Sequence, residues 1–332
     1  MKLEWVRVLW AVGVAASTAA LVLFGLRQLS SLLRLLDHPG GRHRHRDPTP
    51  RIGGLAFAAG IAAGTYTYGF VTWRGWSYPE DAVLAGLLCM ALGLLDDLLR
   101  DRFKPLWKLL GQAAASLAAA WMLNGPFSMA ERGIVAAAVL AAMNAYNFFD
   151  HANGLLLVAL AVPMSLPSLS GEMVAPTIAA GSVVLMANLG GLAFGGDAMS
   201  HGFAGFVAIS CFDRFAHQSL GFDLLQLAAL SSLVLLDMAV VIALRIAEGM
   251  PPWRSTPVHL SDRFESRGWP RSVGLLGVAV WAATTRYFVP VVDAHGIVQS
   301  YRWPLSLAAA ATVVALSFVR LRRVPVWSAA GE

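Results

Sequence analysis

The chain has 332 residues and a formal net charge of +5; 57% of it is hydrophobic and only 14% is charged. Soluble domains carry roughly 25% charged residues, so this composition cannot clothe a water-facing body, and most of the chain must be solvated by lipid. A small positive balance is what Lys and Arg in cytoplasmic loops supply, which argues against nucleic acid as a partner.

Eleven apolar stretches follow one another, at about 5–26, 52–72, 81–97, 106–123, 132–149, 154–170, 174–194, 202–212, 224–246, 272–292 and 303–319. A spanning helix takes about 20 apolar residues, so eleven of them use ~220 residues and leave ~110 for short loops. The expected fold is therefore all-α: a polytopic integral membrane protein of 10 or 11 transmembrane helices in one domain over residues 1–332. The first stretch lacks the basic block and cleavage site of a signal peptide. The eighth is the shortest. Small-residue faces such as Gly111–Ala120 and Ala136–Ala142 suit close helix packing in lipid.

With the amino terminus outside, the loops at 27–51, 98–108, 245–271 and 320–323 hold 18 of the 25 Lys and Arg residues. That asymmetry places the carboxyl terminus inside. On this map Asp96 and Asp97 end the third stretch, Asp150 ends the fifth and Asp197 follows the seventh, all at the cytoplasmic mouth. A carboxylate next to an apolar run costs several kcal/mol in lipid and ordinarily lines a wet cavity. The active-site loops expected from this are 27–51, 96–108, 150–153, 194–201 and 245–271.

Each cluster has its own chemistry. The Asp96–Asp97 pair is followed by four basic residues; adjacent carboxylates repel, so they share a proton or a cation. Magnesium beside phosphates is the natural one, since it binds through one or two carboxylates and keeps its waters. Asn144, Asn147, Asp150 and Asn153 recur at a spacing of three, close to one helix face. Glycines before Asp197 allow close approach of a ligand or a sharp turn. The first basic loop carries Arg42, His43, Arg44, His45, Arg46 and Arg51 between prolines, and the last adds Arg254, His259, Arg263 and Arg267. The arginines disfavour a zinc site on His38, His43 and His45. Cys89 and Cys211 stand singly and suggest neither a disulfide nor zinc. Acids faced by basic loops point to anionic substrates bridged by a divalent cation, hence phosphoryl transfer. A transporter would instead place acids near mid-helix in two matched halves.

These motifs resemble the polyprenyl-phosphate N-acetylhexosamine-1-phosphate transferases, a family that includes undecaprenyl-phosphate GlcNAc-1-phosphate transferases and phospho-MurNAc-pentapeptide translocases. The likeness runs in order from about residue 37 to residue 271. It rests on Asp37, Pro39, Arg42, His45, Pro48, Pro50, Arg51, Gly53 and Gly54, then on Asp96–Asp97. It continues with Asn144, Asn147, Asp150, Asn153 and Gly154, with Gly196, Asp197 and Ser200, and with Asp237 and Arg245.

The resemblance implies transfer of a sugar-1-phosphate from a UDP-sugar to undecaprenyl or another polyprenyl phosphate, releasing UMP, as the first step of a cell-envelope glycan. It implies a Mg2+ (or Mn2+) cofactor, membrane lipid around the helices, a multi-pass place in the bacterial inner membrane with the site on the cytoplasmic side, and compatibility with a homodimer. By motif position Asp197 is the chief metal ligand, with Asp97. Asp96 or Asp97 activates the lipid phosphate, Asp150 is a further essential acid, and Asn147 supports the metal and phosphate site. Asn153 touches the uracil, while His45, Arg51, His259 and Arg263 lie near phosphates or sugar.

The chain departs from the pattern at Asn153, where an Asp is usual, at His151 and Met199, where glycines are usual, and in the last loop, where His259 stands without its histidine neighbours. The alternative reading is therefore a catalytically weakened homologue that binds polyprenyl phosphate or UDP-sugar as a scaffold. Pro257–Val258–His259 and Arg267–Gly268–Trp269–Pro270 are similar to the peptidoglycan branch. The first-loop pattern favours the GlcNAc branch over it.

Overall fold

A computed structural model describes residues 2–39, 47–72, 80–99, 104–161, 171–212, 219–254, 256–288 and 303–319. The chain is all-α. Its helices are α1 (Lys2–Leu29), α2 (Gly53–Thr72), α3 (Glu80–Leu99), α4 (Pro105–Met122), α5 (Met129–Phe149), α6 (Leu155–Ala159) and α7 (Gly171–Leu189). They continue with α8 (Gly196–Cys211), α9 (Leu220–Leu230), α10 (Ser232–Ala247), α11 (Leu260–Ser266), α12 (Arg271–Phe288) and α13 (Trp303–Leu316). Among the described residues Trp5–Leu29, Glu80–Leu99 and Met129–Phe149 are each long and apolar enough to cross a membrane. Val174–Leu189, Ser272–Thr285 and Pro304–Leu316 are shorter apolar helices.

Two expected spans differ from a simple crossing. The stretch at 224–246 is broken into α9 and α10, bent by 77° at Ser231. Broken helices are tolerated in lipid only where neighbours satisfy the polar groups at the break, and Ser306 of α13 does so here, its hydroxyl donating to the Ala229 carbonyl oxygen at 3.0 Å. Ser231 Oγ lies 3.1 Å from the Tyr146 hydroxyl, and Ser232 Oγ accepts from Trp281 Nε1 at 2.9 Å. The stretch at 154–170 holds only the five-residue α6 before it leaves the described residues at 162.

The core of the site is the crossing of α3 with α8, and small residues set it. A Cβ on Gly205 would lie 2.7 Å from Cys89 Sγ, and one on Gly202 would lie 2.7 Å from Met90 Cβ. A Cβ on Gly93 would lie 2.1 Å from the Asp197 carbonyl oxygen. Residues 86 and 93 of α3 thus meet residues 202 and 197 of α8, so the helices run antiparallel with backbones in near contact. The last turn of α3 is thereby pressed against the first turn of α8. A two-residue antiparallel ladder, β1 (Leu36–Asp37) with β2 (Thr49–Pro50), ties the start of α2 to this end. Arg51 continues it as a parallel bridge to Phe194. This strand pairing is absent from the hydropathy pattern because two residues have no periodicity to show. At the opposite end of α5, Ser128 and Glu131 form a reciprocal N-cap, a device worth about 1 kcal/mol.

Candidate active site

Helix ends bring the acids together. Asp97, fully buried, receives the Ala198 backbone N–H at 3.0 Å on Oδ2 and Arg51 Nη1 at 3.3 Å on Oδ1. It caps α8 from another helix, satisfying an N–H that has no partner within α8. Gly196 at this junction has φ +76°, and a Cβ there would lie 2.6 Å from Asp97 Oδ2, so only glycine permits the contact. Arg51 also pairs with Asp37 Oδ1 at 2.9 Å and so joins the first loop to the acid cluster.

Asp197 sits in the first turn of α8. Its Oδ1 accepts from Asn147 Nδ2 at 2.9 Å, and the same amide reaches Ser200 Oγ at 3.3 Å. Lys108, from the first turns of α4, pairs with Asp197 Oδ2 and, at 2.5 Å, with Asp96 Oδ2. Asp150 caps the carboxyl end of α5; a Cβ on Gly195 would lie 3.3 Å from its Oδ2, which places it beside the turn that leads into Asp197. Burial first, then the charges of Asp197 and Asp97, push the Asp150 carboxyl up to about 7, with Arg51 opposing.

Asp96, Asp97, Asp150 and Asp197, which belong to three helix termini, therefore share one site with Arg51, Lys108 and Asn147. Four carboxylates stand against two cations, leaving a surplus of negative charge among these groups. Carboxylate oxygens with surplus negative charge, one pair already sharing an ammonium, are a donor set that fits a hard divalent cation such as magnesium.

A second cluster adjoins the first through Asp150–His151. His151 Nδ1 lies 3.1 Å from the Phe148 carbonyl oxygen and so must carry the proton; Nε2 accepts the Ser261 N–H at 3.3 Å. Its ring stacks on His259, with centroids 4.5 Å apart and planes at 22°. Burial and the neighbouring His259 lower the His151 imidazole to about 3, which keeps it neutral. Arg263 donates to Asp237 Oδ1 at 2.8 Å, and Arg245 Nη2 lies 3.4 Å from His259 Nε2. Asp237 Oδ2 and His259 Nδ1, 3.9 Å apart, have no hydrogen-bond partner among the described residues.

Ligand atoms of His151, Asp237 and His259 lie within 4.8 Å of one another, yet the set does not fit a metal. Nearly parallel rings aim their in-plane lone pairs side by side instead of at one point. His151 Nε2 is already engaged, and two guanidinium groups crowd the position with positive charge. The cluster suits an anionic or hydrogen-bonding group.

The residues expected from the sequence divide accordingly. Asp96, Asp97, Asp150, Asp197, Asn147 and Arg51 meet in the acid cluster. His259 lies in the second cluster, next to it. Arg263 differs from the expectation of a substrate contact: it is 3% exposed, and its guanidinium is spent on Asp237, Ser317 Oγ and the Val258 carbonyl. It braces α11 against α10 and the end of α13. Asn153 is half-buried in the turn after α5. His45 lies outside the described residues. Sequence reasoning passed over Lys108 and the partnership of His151 with His259; the signal for Lys108 was a basic residue soon after the Asp pair and beyond Pro105, where a helix starts.

No family model matches the chain. It is 32% identical over 188 residues to the decaprenyl-phosphate N-acetylglucosaminephosphotransferase of Mycobacterium tuberculosis, covering 48% of this chain and 45% of that protein. The Mycolicibacterium smegmatis protein of the same name is 31% identical over 185 residues, covering 47% and 44%. The undecaprenyl-phosphate alpha-N-acetylglucosaminyl 1-phosphate transferase of Escherichia coli K12 is 29% identical over 152 residues, covering 41% and 39%. The matches thus span less than half the length of these curated relatives. The proteins to which this chain is similar are polyprenyl-phosphate N-acetylglucosamine-1-phosphate transferases, the family whose motifs its loops resemble.

Proposed function

We propose that this protein transfers a sugar-1-phosphate, N-acetylhexosamine-1-phosphate by preference, from a UDP-sugar to a polyprenyl phosphate and releases UMP. The observation that carries the proposal is the meeting of Asp96, Asp97, Asp150 and Asp197 with Lys108 and Arg51 at one end of the helix bundle. In the reaction an oxygen of the lipid phosphate attacks the phosphorus that bears the sugar. The bond from that phosphorus to the bridging oxygen breaks, and UMP leaves with the electron pair. Little covalent work is asked of the protein, and charge neutralisation with alignment accounts for most of the catalysis.

Each residue then has a task. Asp96 and Asp197 would hold Mg2+, which when bound neutralises phosphate oxygens and the charge on the leaving UMP. Asn147 orients Asp197 through its amide, and Asp97 fixes the first turn of α8 against α3. Asp150, pushed up to about 7, can take a proton from a singly ionised lipid phosphate near neutral pH. Arg51 and Lys108 offer positive charge to the phosphates, and His259, held from behind by the buried Arg245, lines the neighbouring wall. Charge asymmetry of the loops supports an inner-membrane protein with the amino terminus outside and this site facing the cytoplasm.

Detergent-purified protein given UDP-GlcNAc, undecaprenyl phosphate and Mg2+ is expected to release UMP, and EDTA to stop it. Binding of UDP-GlcNAc without turnover of any UDP-sugar would instead support the scaffold reading.

A further inference from the structure

The pair of carboxylate oxygens best placed for a divalent ion is already spanned by a cation of the chain itself. Asp97 is not half of that pair, since its oxygens are taken by Arg51 and the Ala198 N–H. Asp197 Oδ1 is taken by Asn147. Asp96 Oδ2 and Asp197 Oδ2, by contrast, both contact Lys108 Nζ. The three side chains are 13%, 20% and 25% exposed, in the order Asp96, Asp197, Lys108, so water is a poor substitute for the ammonium there. Two carboxylates this close in a half-buried site repel strongly unless a cation lies between them.

An ammonium holds its oxygens at about 2.8 Å, whereas Mg2+ demands about 2.0–2.1 Å in near-octahedral geometry. The two cannot sit between the same oxygens together. We infer that Lys108 is a displaceable resident cation: it keeps Asp96 and Asp197 paired when no metal is bound, and metal binding ejects it. The freed ammonium, on a flexible four-carbon stem at the start of α4, then becomes a donor for a phosphate brought to the metal. Arrival of the cofactor is thereby coupled to creation of a phosphate contact. This inference rests on the magnesium reading above and deepens it.

Amine footprinting on the detergent-solubilised full chain tests it without any variant. Reductive methylation is followed by mass spectrometry in EDTA and in Mn2+, with exposed Lys104 as the internal reference. Lys108 is expected to be labelled several-fold faster with Mn2+ while Lys104 is unchanged. Direct Mn2+ titration by electron paramagnetic resonance runs alongside. If the ammonium is seated nine-tenths of the time, Lys108→Met is expected to bind Mn2+ ~10-fold more tightly than wild type, because the competent fraction rises to one. Mn2+ binding that leaves Lys108 labelling unaltered, or weaker binding in a folded Lys108→Met protein, overturns the displacement while sparing the metal reading. Failure of both proteins to bind Mn2+ overturns both.

Discussion

The acid cluster and the histidine cluster share one end of the bundle and touch through consecutive residues, Asp150 and His151, yet their charge balance differs. Around Asp96, Asp97, Asp150 and Asp197 the cations are Arg51 and Lys108, and one of these is shared by two carboxylates. Around Asp237 the partners are Arg263 and, through His259, Arg245, with two imidazoles besides. The first region is short of positive charge, whereas in the second the guanidinium groups of Arg263 and Arg245 match the carboxylates of Asp237 and of Asp262, which accepts the His259 N–H. On the proposed function a divalent ion would sit in the first and an anionic group against the second, since a metal-bridged diphosphate needs both along one wall. Ion pairing in one fold can thus be arranged for permanence or for exchange. Arg263 is locked into its ion pair, whereas Lys108 spans a gap that a competing cation can take.

Breaking the permanent pair should have the largest effect. Arg263→Met leaves Asp237 charged and buried without its partner, and removal of one member of such a pair costs about 3–5 kcal/mol. Thermal unfolding in detergent should show this, and Asp237→Leu added to Arg263→Met should recover most of it. If the single variant unfolds like wild type, the histidine cluster is not held by this pair.

Next comes the exchangeable side. Asp197→Asn keeps the shape but weakens the hold on a cation, and loss of one preorganised charge in a site of this kind lowers turnover by ~10²–10³-fold. Stability should change little, because the same substitution relieves repulsion from Asp96. UMP release measured across Mg2+ concentrations reads the loss. Retention of near-wild-type turnover would remove Asp197 from the metal site.

A smaller effect is expected from Gly93→Ala, which adds one methyl group on α3 where the Asp197 carbonyl oxygen would lie 2.1 Å away. Backbone cannot yield as a side-chain tip can, so α3 and α8 must separate at the point where Asp97 caps α8. Overpacking of this order costs about 1–3 kcal/mol. Turnover should fall more than stability, since the acids sit at that junction; Gly133→Ala, with open space around it, is the control.

Much of this was legible in the sequence. Apolar runs that end in Asp96–Asp97, Asp150 and Asp197 mark helix termini by hydropathy alone, and the basic loops mark their common side. The glycines before Asp197 announced a tight approach, and the structure gives the reason at Gly196. Three things were hidden. Lys108 looked like one more loop charge, because its partner Asp197 is 89 residues away and only the packing of α4 and α8 against α3 brings them together. His151 looked like a substitution at a glycine position, while its ring partner comes from a loop more than a hundred residues later. The break at Ser231 is invisible to hydropathy, since apolar residues continue through it and no Gly or Pro marks the bend. In each case the missing information was tertiary contact, which composition and periodicity do not carry.

The smallest effect, and the sharpest test of the boundary between the clusters, concerns His151. Its imidazole is lowered to about 3 by burial and by His259, with Asp237 opposing and Arg263 reinforcing the shift. In the unfolded chain the same group titrates near 6.5. Between those values the unfolded chain binds a proton that the native protein refuses, so native stability falls as pH is lowered through about 6.5 and continues to fall toward about 3. From pH 7.5 to pH 5 the loss due to this residue is at most about 2 kcal/mol. His151→Phe preserves a stacking ring and has no proton to refuse, although it forfeits the hydrogen bonds to Phe148 and Ser261 at every pH. The variant should therefore be less stable than wild type at pH 7.5 and lose less further stability on acidification, so the two unfolding curves converge toward pH 5. Parallel curves would mean that His151 accepts its proton in the native state, which would add positive charge beside Arg263 and place the divide between the two clusters elsewhere than at Asp150–His151.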